Sequence, residues 1–325
     1  MLKKMVFLGT GGTIAGTAAQ ASDNVGYTAA QVGVGQLLQA IPGLQQVLGT
    51  HVFQAEQVAQ VDSKDMGWAQ WRVLAERIQR YLAQPEVQSI VVTHGTDTLE
   101  ETAFFLSCVL PKTLLAQKPV VLTCAMRPAS SLAPDGPQNV LDAVAVARSA
   151  EAQGVLAVCA GTVHSARDVQ KIHPYRLNAF DSGDAGPLAY VEEGRVRWLH
   201  ACPHSEVSMP DSLPAALARD SWPRVEIVTS YAGATGATVR ALCAAPVGSG
   251  PALHGIVVAG TGNGTIHQDL ELALREAQAQ GVRVLRSTRC AYGGVVTGTA
   301  DGAFQDSLGL SPVKARVALM LQLMA

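Results

Sequence analysis

The sequence predicts an α/β protein with two domains. The larger N-terminal domain has a mainly parallel sheet flanked by helices, and a linker joins it to a smaller C-terminal α/β domain. Short apolar runs alternate with segments of helical periodicity up to residue 160, which is typical of a parallel sheet covered by helices. A proline-rich stretch then interrupts the alternation, which resumes beyond it. We therefore place the domains at 1–201 and 223–325 and the linker at 202–222.

The N-terminal domain opens with an apolar strand that runs into a glycine-rich turn at residues 9–16. Strands and helices are then predicted in turn at 51–58, 65–84, 88–93, 97–110, 118–124, 137–151 and 154–160. Helix 65–84 carries one apolar face, made by Trp71, Leu74, Ala75, Ile78 and Leu82. We expect Asp65 to cap the start of this helix. A hairpin is predicted around Glu192-Glu193-Gly194.

The linker is indicated by Pro203, Pro210, Pro214 and Pro223, with serines and aspartates between them. Beyond it, strands are predicted at 225–228, 255–259 and 282–285. Helices are predicted at 235–244 and 268–280, and Gly281 is expected to end the second of them. These elements make the second, smaller α/β domain.

Composition excludes several classes of protein. With 325 residues, 48% of them hydrophobic, the chain is long and apolar enough to form a compact core. The net charge is −2 and no block of lysine and arginine stands out, so we expect no nucleic-acid partner. No apolar run approaches the roughly 20 residues that cross a bilayer, and no secretion signal is readable at the N-terminus. We therefore expect no membrane association and a cytoplasmic location.

Cysteine and histidine give no sign of a metal site. The six cysteines include no Cys-x-x-Cys pair, and several lie in apolar runs, so we interpret them as small buried hydrophobic residues without disulfides. His94 has no histidine or carboxylate at ligand spacing, so we interpret it as a packing residue. We expect no metal and no cofactor.

Two predicted strands end in threonine-bearing loops. Thr13 lies in the glycine-rich turn after the first strand, and Thr96 precedes Asp97 after strand 88–93. Because the carboxyl ends of parallel strands gather along one edge of a sheet, both threonines can share one pocket. An alcohol needs a base or a hydrogen-bond network to act as a nucleophile, and Lys171 and Asp97 could supply that beside Thr96.

Each of these residues also has a purely structural interpretation. Thr13 can serve only its turn, Asp97 can cap helix 97–110, and Lys171 can be a surface charge. The glycine-rich turn also resembles a dinucleotide loop, but the chain lacks a Gly-Lys-Ser/Thr phosphate loop and an acid at ribose-binding distance. A nucleotide-binding module is therefore the weaker hypothesis.

Ordered matches along nearly the whole chain decide between these interpretations. Beside the two threonine loops they include Tyr27 in 25–28, Ser63 in 62–66, Ala125 in 125–128, Lys171 in 161–171, Asn263 in 260–264, and the segment 312–316. In these motifs the chain resembles the bacterial-type L-asparaginases and glutaminase-asparaginases.

The resemblance implies hydrolysis of L-asparagine to L-aspartate and ammonia through a threonine acyl-enzyme. It implies Thr13 as nucleophile with Tyr27 beside it on a mobile loop, and a Thr96, Asp97 and Lys171 trio that shares protons. It implies further that the substrate contacts Ser63, Asp97, the carbonyl of Ala125, Asn263 and an acidic residue of another subunit. A homotetramer built as a dimer of dimers is implied as well.

Two positions depart from the family pattern. Asp301 stands where a glutamate is usual, and Lys64 stands where secreted members commonly have a glutamine that helps to bind the α-amino group of the substrate. A lysine that points into the pocket would repel an ammonium, whereas one that turns to solvent would have no effect. A glutaminase-asparaginase of broader specificity and a weakly active amino-acid-binding homologue are the alternative functions.

Overall fold

The computed structural model describes residues 3–203, 217–219, 221–244, 252–296 and 304–324. The chain forms two compact units, Met1–Ser208 and Met209–Ala325. Most of the predicted linker at 202–222 lies outside the described residues, so the domain bounds of 1–201 and 223–325 stay a prediction.

The N-terminal unit is built on an eight-stranded sheet and a small hairpin. Its strands are β1 (Lys4–Gly11), β2 (Val52–Val61), β3 (Val87–Thr93), β4 (Val120–Thr123), β5 (Val155–Cys159), β6 (Thr162–Ser165), β7 (Gln170–Lys171), β8 (Phe180–Asp181), β9 (Ala189–Glu192) and β10 (Arg195–Trp198). The sheet order is β10-β9-β6-β5-β4-β3-β1-β2, and β7 pairs with β8. Strands β1 to β5 run parallel, and β6, β9 and β10 join them antiparallel. The predicted mainly parallel sheet is confirmed.

The central strands are apolar on both sides because helices cover both faces of the sheet. Residues Met5 to Leu8 of β1 are completely buried. The covering helices are α1 (Val34–Gln39), α2 (Leu44–Leu48), α3 (Trp68–Leu82), α4 (Leu99–Val109), α5 (Lys112–Leu115) and α6 (Gly136–Arg148). The five apolar residues predicted on one face of α3 are all buried, and Trp71 stacks on Phe105 of α4 with 5.0 Å between ring centroids.

Two predicted helix starts are displaced. Asp65 does not cap α3, because it ends a 3-10 turn over Ser63–Asp65 and the extended Met66 separates that turn from the helix. Gly67 occupies the cap position instead, and its N–H donates to Gln70 Oε1. Helix α4 begins at Leu99 after Thr98, so Asp97 is not its cap. Two glutamates in the first turn of α4 suit the positive end of the helix dipole.

The predicted hairpin around 192–194 is present between β9 and β10. Glu192 pairs with Arg195, and Glu193 and Gly194 have φ of +49° and +71°. Positive φ at both central residues is the geometry of a tight hairpin turn whose twist matches that of the strands.

The C-terminal unit is a second, smaller α/β layer structure. It comprises β11 (Arg224–Thr229), α7 (Ala237–Cys243), β12 (Leu253–Gly260), α8 (Gln268–Ala279), β13 (Arg283–Thr288), β14 (Gln305–Asp306) and α9 (Pro312–Met324). The four strands are parallel in chain order. Ile256 and Val258 share an apolar cluster with residues of α7 and α8, whereas Leu319 of α9 lies over Gly255 on the other side. Gly281 follows α8 with φ +91°, as a helix end requires.

No helix within the described ranges is both long and apolar enough to cross a membrane.

Candidate active site

The candidate site residues of the N-terminal unit follow the carboxyl ends of neighbouring parallel strands. Gly9 of β1 pairs with Thr93 of β3, and Thr93 pairs with Thr123 of β4. Thr13 follows the end of β1 and Thr96 follows the end of β3, at the same edge of the sheet. The topology thus provides a crevice of the kind in which open α/β sheets bind ligands.

Two glycines allow the threonine loops to touch. Gly12 has φ +81°, and a Cβ built on it would lie 2.2 Å from Gly95 Cα. A Cβ on Gly95 would lie 2.4 Å from Ser63 Oγ. Any side chain at either position would therefore push apart the loops that carry Thr13, Ser63 and Thr96.

Thr13 lies at the start of a 3-10 turn, Thr13–Ala15, and its side chain is paired with Tyr27. Thr13 Oγ1 and Tyr27 Oη are 2.6 Å apart. Reciprocal backbone bonds between Thr17 and Thr28 hold the Tyr27 segment against the turn. Burial raises the pKa of the half-buried Tyr27, the hydrogen bond to Thr13 lowers it, and the charges of Asp62 and Asp97 raise it. The tyrosine is therefore a neutral phenol at neutral pH.

Thr96, Asp97 and Lys171 form a second hydrogen-bonded group. Lys171 Nζ donates to Thr96 Oγ1 at 2.8 Å and to Asp97 Oδ1 at 2.6 Å. Thr96 Oγ1 lies 3.4 Å from the same carboxylate oxygen. Lys171 ends the short strand β7, whose pairing of Lys171 with Phe180 fixes the direction of its side chain. Asp97 thus faces Lys171 and Thr96, and it does not cap a helix.

Ser63 is buried between the loops and is bonded through both side chain and backbone. Its Oγ accepts the backbone N–H of Asp97 at 3.1 Å, and its carbonyl accepts Thr98 Oγ1 at 2.7 Å. The turn after β2 is thereby fixed against the loop after β3, so Ser63 lies beside Asp97, and their contact with substrate stays a prediction.

Lys64 turns toward the carboxylates of its own loop. Its Nζ forms an ion pair with Asp65 and lies 3.9 Å from Asp62, and 60% of its side chain is exposed. The hydrogen bond to Asp65 is the main cause that raises the pKa of Lys64, and the charges of Asp62 and Asp97 act in the same direction. Of the two predicted orientations, the structure has the solvent-exposed one, and a contact between Lys64 and substrate stays a prediction.

Ala125 follows β4 and is buried at the same edge of the sheet. The backbone on both sides of it is bonded to α6. Asn139 Nδ2 donates to Cys124 O at 2.9 Å, and the carboxylate of Asp135 accepts the N–H groups of Met126 and Arg127. Sequence reasoning missed Asp135 and Asn139. Their only signal is the Asp-Gly-Pro at the start of a helix, which is a common pattern.

Asn263 lies in the C-terminal unit, in the turn closed by Thr261 and Thr265 after β12. Its Nδ2 donates to Val296 O at 2.8 Å, and its Oδ1 accepts Val296 N–H at 2.7 Å. The side chain therefore holds the backbone at Val296. Its predicted contact with substrate stays a prediction, and Asp301 lies outside the described residues.

His94 is completely buried beside the Thr96 loop, in keeping with the interpretation that it is a packing residue. Its Nδ1 donates to Gly95 O at 2.7 Å, since a carbonyl can only accept. Burial lowers the pKa of His94 to about 4, and the bond to Gly95 raises it only in part. The described part of the chain holds no group of three or more His, Cys, Asp or Glu residues that could bind a metal ion.

The cysteines fit the predicted pattern only in part. Cys108, Cys124 and Cys159 are buried, whereas Cys290 is exposed, so the prediction was wrong for Cys290. Cys124 Sγ and Cys159 Sγ lie 3.2 Å apart as free thiols, because β4 and β5 are neighbours in the sheet.

The arrangement offers two hydroxyls with hydrogen-bond partners, Thr13 with the phenol of Tyr27 and Thr96 with the side chains of Lys171 and Asp97. Such a set can form and break an ester bond without a metal, since nucleophile, proton carriers and charge are all supplied by side chains.

Known proteins are similar to this chain in sequence and in fold. The family model described as "Asparaginase, N-terminal" matches residues 4–203, and "Glutaminase/Asparaginase C-terminal domain" matches residues 224–325. A glutaminase-asparaginase of Pseudomonas fluorescens biotype A is 36% identical over 99% of this chain and 86% of its own length. L-asparaginase 2 of Escherichia coli strain K12 is 35% identical over 99% of this chain and 89% of its own.

Solved structures agree with the sequence matches. A crystal structure described as a probable cytoplasmic L-asparaginase from Campylobacter jejuni has a TM-score of 0.88 and 34% identity, covering 99% of this chain and 95% of that one. The two family models together span most of the chain, and each of these relatives is at least 34% identical over 99% of it. The chain belongs to the asparaginase family.

Proposed function

We propose that this protein hydrolyses L-asparagine to L-aspartate and ammonia, with L-glutamine as a secondary substrate. The family is one of amidohydrolases. The observation that carries the proposal is the pair of strand-end threonines, each with its own proton partners: Thr13 with Tyr27, and Thr96 with Lys171 and Asp97. The relatives named glutaminase-asparaginase support the glutaminase activity.

Acylation begins at Thr13. Its Oγ1 attacks the side-chain amide carbon of asparagine, the C–N bond breaks, and ammonia leaves with the proton that Thr13 gave up. Tyr27 relays this proton, since a neutral phenol accepts one proton while it passes on its own. Thr13 is then an aspartyl ester.

Deacylation consumes water. The Thr96, Lys171 and Asp97 group orients the water, and the Asp97 carboxylate takes its proton as the water oxygen attacks the ester carbon. The ester C–O bond then breaks and this proton is passed on to Thr13 Oγ1, so that every group regains its starting state. The positive charge on Lys171 also stabilises the oxyanion that develops in both steps.

Binding of the amino-acid part of asparagine falls to Ser63 and Asp97, which lie side by side. The carbonyl of Ala125 accepts the N–H of the leaving amide. Asn263 and Asp301 from a second copy complete the pocket in a homotetramer, as the family resemblance implies. A cytoplasmic location belongs to the proposal and is supported by the description of the Campylobacter jejuni relative.

The test is ammonia release from L-asparagine, L-glutamine and D-asparagine by the purified protein. We expect release from L-asparagine to fall by at least about 1,000-fold in Thr13→Val. Thr113→Val, which changes an exposed threonine of α5, is the matched control and should keep full activity. No ammonia from any amide with folded protein, or an active Thr13→Val, would refute the proposed function or its nucleophile.

A further inference from the structure

Helix α6 holds the backbone around Ala125 through side chains to which the proposed mechanism gives no role. Asp135 Oδ2 accepts the N–H of Met126 at 2.9 Å, and Asp135 Oδ1 accepts the N–H of Arg127 at 2.9 Å. Asn139 Nδ2 donates to Cys124 O at 2.9 Å and to Asp135 Oδ2 at 3.2 Å. The two side chains thus fix the backbone on either side of Ala125.

Asp135 binds the loop after β4 instead of capping its own helix, which is the usual role of an aspartate at a helix start. It occupies the cap position of α6, yet its carboxylate accepts no N–H of that helix. Pro137 in the first turn has no N–H, so the helix has one donor fewer to satisfy. The carboxylate is therefore free to bind the loop after β4.

Asn139 makes this arrangement rigid. It is 3% exposed, and its Oδ1 accepts the N–H of Ala160 at 3.0 Å just after β5. Its own carbonyl accepts the hydroxyl of Thr123 at 3.2 Å. The ends of β4 and β5 and the start of α6 are thereby joined around one amide group.

The bond from Met126 has an electronic consequence for Ala125. The N–H of Met126 and the C=O of Ala125 belong to the same peptide group. When the N–H of a peptide donates to a carboxylate, electron density moves toward its carbonyl oxygen, which becomes a stronger acceptor, because linked hydrogen bonds polarise one another.

We propose that Asp135 is a positioning residue that orients the Ala125 carbonyl and strengthens it as an acceptor for the leaving amide nitrogen. This inference rests on the proposed function, in which that carbonyl contacts the departing group. As ammonia forms, its nitrogen gains hydrogen and positive charge, so a stronger acceptor stabilises the transition state more than bound asparagine. Asp135 then speeds departure of ammonia.

An ester substrate separates this role from a merely structural one. L-Aspartate β-methyl ester gives the same acyl-enzyme as L-asparagine, but its leaving oxygen has no N–H to offer the Ala125 carbonyl. Since kcat/KM covers the steps up to acylation, a difference between the two substrates reports the leaving group alone.

The experiment measures kcat/KM for both substrates, with ammonia and methanol as the detected products, in the wild type and Asp135→Asn. We expect asparagine to lose about tenfold and the ester to change less than about twofold. Asp142→Asn is the matched control, since Asp142 is a buried acid of the same helix that accepts only from Gln138 among the described bonds. It should leave the ratio of the two substrates unchanged.

Equal losses on both substrates would overturn the inference and leave the proposed function standing. A wild-type protein that releases no ammonia from asparagine would overturn both. Because each ratio is taken on one preparation, a partly folded variant does not distort it. If Asp135→Asn fails to fold, Asn139→Ser, which removes the amide that holds both Cys124 O and the Asp135 side chain in place, should misorient the Ala125 carbonyl and shift the ratio in the same direction, and an unchanged ratio would overturn the inference.

Discussion

Gly12→Ala tests how the two threonine loops are brought together. Gly12 has φ +81° and ψ −171°, a backbone region open essentially to glycine alone. A Cβ there would also lie 2.2 Å from Gly95 Cα, against the 3.4 Å at which ordinary contact begins, so the Thr96 loop must retreat by about 1.2 Å. The variant therefore combines backbone strain with a displacement of the site.

The two effects have different sizes. The backbone strain costs about 1–3 kcal/mol of the free energy of unfolding, which a fold of ordinary stability survives. A misplacement of about 1 Å between reacting groups lowers the rate by about 100-fold. We therefore expect Gly12→Ala to fold, to melt at a lower temperature, and to retain about 1% of the wild-type kcat.

Two other glycines separate these effects. Gly43 has a similar φ of +78°, but a Cβ there would contact nothing within 4 Å. Gly35 lies inside α1 without positive φ and is equally unobstructed. Gly43→Ala should lose about 1–2 kcal/mol of stability and keep its activity, and Gly35→Ala should keep both.

The assay is ammonia release from L-asparagine together with thermal unfolding of the three variants. Full activity in a folded Gly12→Ala protein would refute the reasoning, since the loops would then tolerate separation. An equal loss of activity in Gly43→Ala would also refute it, because backbone strain alone would explain the result.

Four further predictions follow from particular side chains. Lys171→Met should lower kcat at least about 100-fold with little change in melting temperature, and an active variant would contradict the proposed trio. The pKa of His94 is about 4 in the folded protein and 6.5 unfolded, so the unfolded chain binds the extra proton between these values. Stability should fall by about 3 kcal/mol as pH drops from 6.5 to 4, and His94→Gln should remove this slope in urea titrations. Exposed Cys290 should react first with a thiol reagent, whereas Cys108, whose pKa burial raises to about 12, should react only on unfolding, as peptide mapping would show. Lys64→Gln should change kcat/KM less than about threefold, because its ammonium is paired and exposed, and a larger gain would show that Lys64 faces the substrate.

The sequence pattern predicted most of the fold because short apolar runs alternate with amphipathic helical segments along much of the chain. Strand β3 is identifiable from a short continuous apolar run and helix α3 from apolar residues at a spacing of 3.6, and these apolar residues are buried as expected. The misplaced start of α3 has a physical cause. Asp65 suits a helix cap by residue type, but Asp62 closes a separate 3-10 turn first, by accepting the N–H of Lys64. Short strands such as β7 and β8 have too few residues to show any period.

The candidate site residues came from ordered motifs, and their partners could be named before their geometry was known. Lys171 is far from Thr96 and Asp97 in the sequence. Only the fold shows that its Nζ reaches both of them. The orientation of Lys64 was open for a related reason. A long, flexible side chain takes the orientation that nearby charges favour, and here the ion pair with Asp65 turns Lys64 toward solvent.

Residues that hold the site differ in kind from those that line it. Asp135 carries no motif of catalysis, and its position at a helix start predicts a cap, which is the commonest role for an aspartate there. Only the observed bonds to Met126 and Arg127 show that its carboxylate serves another loop. The role of Gly12 is equally hidden in the sequence. This position cannot carry a side chain because Gly95, more than eighty residues away in the sequence, packs against it. Both depend on contacts between loops whose relative positions are set by the order of strands in the sheet, and that order is a property of the whole domain. Local patterns in the sequence therefore point to candidate chemical groups, whereas the groups that orient them emerge only from the fold.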